Sequence, residues 1–198
     1  MKKKHLFSFN LVEIILAMGV VALGMTAVMA LLPPALNANR DAAGDAMAAE
    51  AASKMMTWID LQTQTVNQTS DDTWSDGLKD RFEHVSSSSK PKLSDVSDND
   101  LGKTGSALAA PFDCFHAISG NIHYTYLQTD AGVDNVPMAN VIVWMEDLPE
   151  PHNYGTGGTV RPGFRFYIKV CWPAEAPAAF DSRQERTFVY EVLRPIVH

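Results

Sequence analysis

The sequence predicts an α+β protein: a long N-terminal helix, with a membrane half and a soluble half, packed on a C-terminal antiparallel sheet. Three observations carry this. An uncharged apolar run extends from Ile14 to Leu32, an alanine-rich amphipathic stretch continues from Leu36 to about Gln62, and the last third holds four strand-length segments rich in Val, Ile, Tyr, Phe and Trp. The chain divides accordingly into a basic leader at 1–8, an apolar helix at 9–32, a soluble helical half at 33–62, a polar connector at 63–111 and a sheet at 112–198.

The apolar run comes first. At ~1.5 Å per residue it spans roughly 28 Å, close to the hydrocarbon thickness of a bilayer. Lys2, Lys3 and Lys4 precede it, and no small-residue cleavage site follows it. The run is too long for a cleaved signal segment, so it is expected to stay in the lipid bilayer as an anchor, with the lysines on the cytoplasmic side and everything after Leu32 exported. Gly19 and Gly24 interrupt the run, and Pro33-Pro34 removes two amide donors, which predicts a bend or break there.

Between leader and run stands Ser8-Phe9-Asn10-Leu11-Val12-Glu13. A carboxylate within a membrane helix costs about 2.5–3.5 kcal/mol at the centre and less near the interface, so Glu13 needs a partner or a position at headgroup level. If a peptidase freed the α-amino group of Phe9, that cation would lie four residues before Glu13, about 6 Å along the axis. This order resembles the N-terminal methylation signal of the type IV pilins and type II secretion pseudopilins. The resemblance covers about a quarter of the chain, and Ser8 stands where that family prefers Gly.

The resemblance implies cleavage between Ser8 and Phe9 by a prepilin peptidase, methylation of Phe9, and Glu13 as the carboxylate that sets register between subunits. It implies a structural subunit of a minor class, held in the inner membrane by one span with its C-terminal domain in the periplasm or on a surface pilus. Its partners would be other pilin or pseudopilin subunits, the peptidase, an inner-membrane assembly platform and the bilayer. In that family the membrane half of the helix often melts locally on entering the filament, and Gly24, Pro33 and Pro34 are the positions where this chain would do so. The other reading of these residues is that glycine and proline are common in membrane helices.

In the soluble half, Leu36, Ala43, Met47, Ala51, Met55 and Ile59 recur at steps of four or seven, an apolar stripe expected to pack on a sheet. The connector is rich in Ser, Asp, Thr and Asn. Trp74, Leu78 and Phe82 lie four apart and predict one short amphipathic helix or turn, whereas Ser86 to Ser89 and Lys90-Pro91-Lys92 read as loop. Asp95, Asp98 and Asp100 form an oxygen-rich cluster that calcium would suit, but the spacing lacks the glycine and closing Glu of an EF-hand, so a solvated acidic loop is the preferred reading. Asn67-Gln68-Thr69 fits a glycosylation sequon of little weight.

The predicted strands are Asn121–Gln128, Ala139–Glu146, Gly163–Trp172 and Arg186–Leu193, linked as an antiparallel meander. In the third, Phe164, Phe166, Ile168, Val170 and Trp172 alternate with Arg165, Tyr167, Lys169 and Cys171. Pro149 to Pro162 reads as the longest hairpin tip. Cys114 and Cys171 are the only cysteines, and in an oxidising envelope two thiols tend to pair. A disulfide closing those 57 residues would stabilise by about 4 kcal/mol; the alternative is two unpaired thiols.

A formal net charge of −7, with the only dense basic cluster in the leader, gives no nucleic-acid footprint. His116, His123 and His152 do not fall at metal-ligand spacings, and no nucleophile elbow, phosphate loop or paired catalytic carboxylate is legible, so no enzyme, metal or cofactor is expected. Two functional readings follow: a filament subunit, or an adhesin or ligand-binding surface protein carried on a pilin-type stalk with the Pro149–Pro162 loop as contact surface.

Overall fold

The computed structural model describes residues 10–66, 71–85, 90–97, 100–101, 105–120, 122–128, 136–148, 152–154, 158–160, 163–177 and 183–193. Helix α1 is Leu11–Thr65, α2 is Asp71–Lys79, and a single 3-10 turn covers Leu93–Asp95. The strands are β1 (Ser106–Ala107), β2 (Phe115–Ser119), β3 (His123–Gln128), β4 (Val136–Asp147), β5 (His152–Tyr154), β6 (Gly158–Val160), β7 (Gly163–Trp172) and β8 (Gln184–Leu193). The chain falls into two compact units that meet between Gly44 and Asp45.

The first unit is helical. Asn10 starts α1: its carbonyl accepts from the amides of Glu13 at 2.9 Å and Ile14 at 3.2 Å. Pro33 and Pro34 lie inside the helix, which runs through them without interruption. Of the expected bend or break, the break is therefore absent. The prolines cost the carbonyls of Met29 and Ala30 their usual amide donors, and the good helix formers on either side, such as Ala30, Leu31, Leu32, Ala35 and Leu36, carry the helix across.

The second unit is built on a six-stranded sheet of order β1-β2-β3-β4-β7-β8, antiparallel throughout; β5 and β6 form a separate hairpin. Period-2 alternation divides the sheet into two apolar faces. On the front face Val141, Val143 and Met145 of β4 and Phe164, Phe166, Ile168 and Val170 of β7 are fully buried, together with Ala48, Ala51, Met55 and Ile59 of α1. Three alanines, at 48, 51 and 52, are among the buried helix positions and allow the helix backbone to come close to the sheet. Leu36 and Ala43, expected on this stripe, are exposed; the packed face begins with Met47 and Ala48. Trp74 and Leu78 of α2 and Phe82 just beyond it are buried as their spacing predicts, and Phe82 meets Phe166 edge-on at 5.1 Å.

The connector does more than join helix to sheet. Val85, Leu93, Val96 and Leu101 bury themselves with Ile142, Trp144 and Cys171 in a second core on the back face. Where β3 ends opposite Ile142, residues 83–85 take its place beside β4: the Val85 amide donates to the Met145 carbonyl and the Met145 amide to the Glu83 carbonyl, both at 3.0 Å. The sparse apolar residues of a polar stretch thus supply a whole layer.

The expected Cys114–Cys171 disulfide is not formed; both cysteines are free and buried. Cys114 immediately precedes β2, and Cys171 lies on β7, with β3 and β4 between. Three strand spacings of roughly 4.8 Å place them about 14 Å apart, twice what a disulfide spans. Cys114 also belongs to the front core and Cys171 to the back one, so the sheet itself separates the thiols.

Candidate functional site: the exposed N-terminal helix

Every residue from Asn10 to Ala43 is exposed. A surface helix of a soluble protein hides one apolar stripe and shows polar residues elsewhere. Here the segment is apolar all round: Leu11 is 72% and Leu23 74% exposed, and Ile15, Met18, Val20, Met29 and Leu31 stand equally open. An 18-residue window reaches a mean hydropathy of 2.5 with none of it buried, so α1 contains a stretch long and apolar enough to cross a membrane. The one polar side chain in its middle, Thr26, donates its hydroxyl to the Ala22 carbonyl at 2.8 Å and so presents no free donor.

Glu13 lies in the first turn of α1. A carboxylate there faces the unpaired amides and the positive end of the helix dipole, an arrangement worth about 0.3–1 kcal/mol. Along the helix it heads an otherwise apolar face formed by Ile14, Ala17, Met18, Val21, Ala22 and Met25. A Cβ added at Gly19 or Gly24 would meet nothing, so within one chain these glycines serve no packing need. Ser8 and Phe9 lie outside the described residues.

The remaining sequence-derived sites have ordinary tasks. Asp95 accepts from the Lys92 amide at 2.7 Å and closes the 3-10 turn, while the Asp100 amide donates to the Ser97 carbonyl at 2.8 Å. Asp98 lies outside the described residues, and among the described residues no group of three His, Cys, Asp or Glu side chains could hold a metal. His116 Nδ1 lies 3.0 Å from the Gly105 carbonyl and His123 Nε2 3.3 Å from that of Lys92. Burial pushes the His123 pKa down, against the pull of its backbone partners. Of the Pro149–Pro162 loop, the backbone of the β5–β6 hairpin is described; the Asn67 sequon is not.

The chain matches no protein-family model, no curated protein and no solved structure.

Two polar clusters on the second unit were not legible beforehand. Where α1 enters it, Lys54 Nζ lies 2.8 Å from Glu50 Oε1 and 3.2 Å from the Tyr126 hydroxyl, which itself donates to Glu50 at 3.1 Å. The i,i+4 spacing of Glu50 and Lys54 was visible in the sequence, the tyrosine from β3 was not. On the back face Trp144 and Tyr167 stack with centroids 5.1 Å apart, the Tyr167 hydroxyl donates to Glu146 at 3.1 Å, and Lys90 lies 5.5 Å from the tyrosine ring centre.

Proposed function

We propose that this protein is a pilin-like or pseudopilin-like structural subunit, cleaved between Ser8 and Phe9 by a prepilin peptidase and built through its N-terminal helix into a type IV pilus or type II secretion pseudopilus. The observation that carries the reading is the pairing of the Phe9–Glu13 spacing with a helix whose first thirty-odd residues are all exposed. Such a surface is stable only in lipid or among other helices. Glu13 is exposed at the end of an apolar face, and on this reading its partner is an α-amino group, its own or a neighbour's. A helix laid on an antiparallel sheet agrees with pilin architecture. On this reading the subunit waits in the inner membrane with its sheet in the periplasm, and its chemistry is assembly rather than catalysis.

The N-terminal mass of the protein extracted from envelopes of its native host tests the proposal. A chain beginning at methylated Phe9 is the expected result. An intact Met1 refutes processing and leaves an uncleaved, helix-anchored protein.

A further inference from the structure

The two edges of the six-stranded sheet are unequal. On one side β1 is two residues long; on the other β8 runs for ten, paired to β7 in unbroken register from Trp172↔Gln184 to Gly163↔Leu193. Soluble sheets blunt such an edge with proline, bulges, free charges or a short strand. Strand β8 contains no proline, and its charges are already spent inside the subunit: Glu185 on Lys169 at 2.6 Å, Glu191 on Arg165 at 2.7 Å, and Arg186 on Asp45 at 3.1 Å. Val189 and Leu193 stand 53% and 67% exposed on its back face. Among the described residues no strand pairs with its outer side.

We infer that β8 is an assembly edge and that its occupant is the β1 edge of a second copy of this chain, the two sheets joining head to tail. Strand polarity selects this partner. Because the sheet has an even number of strands and every neighbour is antiparallel, β1 and β8 run in opposite directions. A copy displaced sideways, without rotation in the sheet plane, therefore offers β1 to β8 as a further antiparallel pair. The symmetric alternative, β8 against β8, fails for anchored chains. Asp45 meets Arg186 and Asp60 meets Tyr190, so α1 runs in the same sense as β8. A two-fold axis through two β8 edges would put the Asp45 ends of the two α1 helices at opposite ends of the joined sheet, whereas the segments that precede them must both reach one membrane.

Charge and size agree with the choice. Gly105 to Ala110 carries no charged residue, so no register opposes like charges, and the small Ala107 lies on the same back face as Val189 and Leu193, since it is paired with His116 as β8's Glu185 is linked by register to Cys171 and Asn140. Because β1 is short, the contact is weak by itself and depends on co-anchoring, which raises the effective concentration of the heads. A head-to-tail contact made without rotation leaves one free edge of each kind at its ends and so propagates along a line. This inference rests on reading α1 as a shared anchor.

Cysteine cross-linking of the full chain in lipid vesicles tests it. Ala107→Cys is combined in turn with Thr187→Cys, Val189→Cys or Glu191→Cys, which sample successive registers on the back face, and oxidised before a non-reducing gel. One double variant is expected to give a ladder of dimers, trimers and longer species, with none from either single variant or from the unmodified chain. Self-coupling of Val189→Cys alone overturns the inference in favour of a symmetric pair, and absence of a ladder from all three overturns it outright. The unmodified chain supplies a second readout: outward amides of β8 should exchange hydrogen more slowly at high protein-to-lipid ratio than at low, and unchanged exchange has the same overturning force. The N-terminal mass, measured separately, reports whether any failure lies in anchoring and processing or in the edge contact.

Discussion

The free thiols give the sharpest test of the strand order. Cys171 is fully buried on β7 and Cys114 is 5% exposed beside β2. Burial, the largest influence on both, pushes the Cys171 thiol from an ordinary value of 9.0 up to about 11 and raises that of Cys114. At pH 8 the Cys171 thiolate fraction is thereby reduced about a hundredfold, before any loss of access is counted. Iodoacetamide at pH 8 should leave both residues of the folded chain unmodified over a time in which a cysteine peptide reacts fully. In urea without reductant, both cysteines should then be alkylated. Intact mass spectrometry reads the result. Alkylation in urea only after reduction would reveal a disulfide, which the separation across β3 and β4 forbids, and would refute the order β2-β3-β4-β7.

Other expectations concern stability, measured as urea midpoints in detergent. Gly163 has φ +151° and a Cβ there would run into the Val192 carbonyl, so Gly163→Ala should cost about 2 kcal/mol or more. Ile59→Ala, at a fully buried site, should cost about 2–5 kcal/mol, whereas Leu36→Ala, 65% exposed, should stay within roughly 0.5 kcal/mol. The depressed pKa of His123 stabilises the fold above the ordinary value of 6.5 and loses that contribution as pH falls through the lower folded value; His123→Gln should flatten the acid limb. On the alkaline side, Cys171 at about 11 and Tyr190 at about 12, the latter raised first by its bond to Asp60, lie above their ordinary values, so stability should fall between pH 9 and 12 and Tyr190→Phe should remove part of the slope.

Much of the scaffold was legible because periodicity reports local structure. The alternation over Gly163–Trp172 named every front-face residue of β7, and the four-residue spacing of Trp74, Leu78 and Phe82 marked three core side chains inside a polar stretch. What stayed hidden was set by contacts distant in sequence. Nothing local to Val85, Leu93, Val96 or Leu101 says that they share a back face with Trp144, and β1 is too short to leave a pattern. The disulfide expectation failed for a related reason: compartment chemistry favours pairing two thiols, but strand order decides whether they can meet. At Pro33-Pro34 local preference was overruled by the helix formers on either side. For the candidate site, the Phe9–Glu13 spacing and the apolar run were plain in the sequence, and the structure adds that every described residue of that run is exposed.

The pairing of α1 with the last strand has a consequence for the order in which this protein is made. Asp45 and Asp60 find their partners 141 and 130 residues later, on Arg186 and Tyr190. At a ribosomal pace of about 5–20 residues per second, the core-facing stripe of α1 emerges roughly 7 to 25 seconds before β8 exists. Until β4 and β7 emerge, Met55, Ile59 and their neighbours have no sheet to rest on. The sheet can grow strand by strand, but a chain stalled before Gln184 leaves the outer edge of β7 open and Asp45 and Asp60 without the partners that β8 brings.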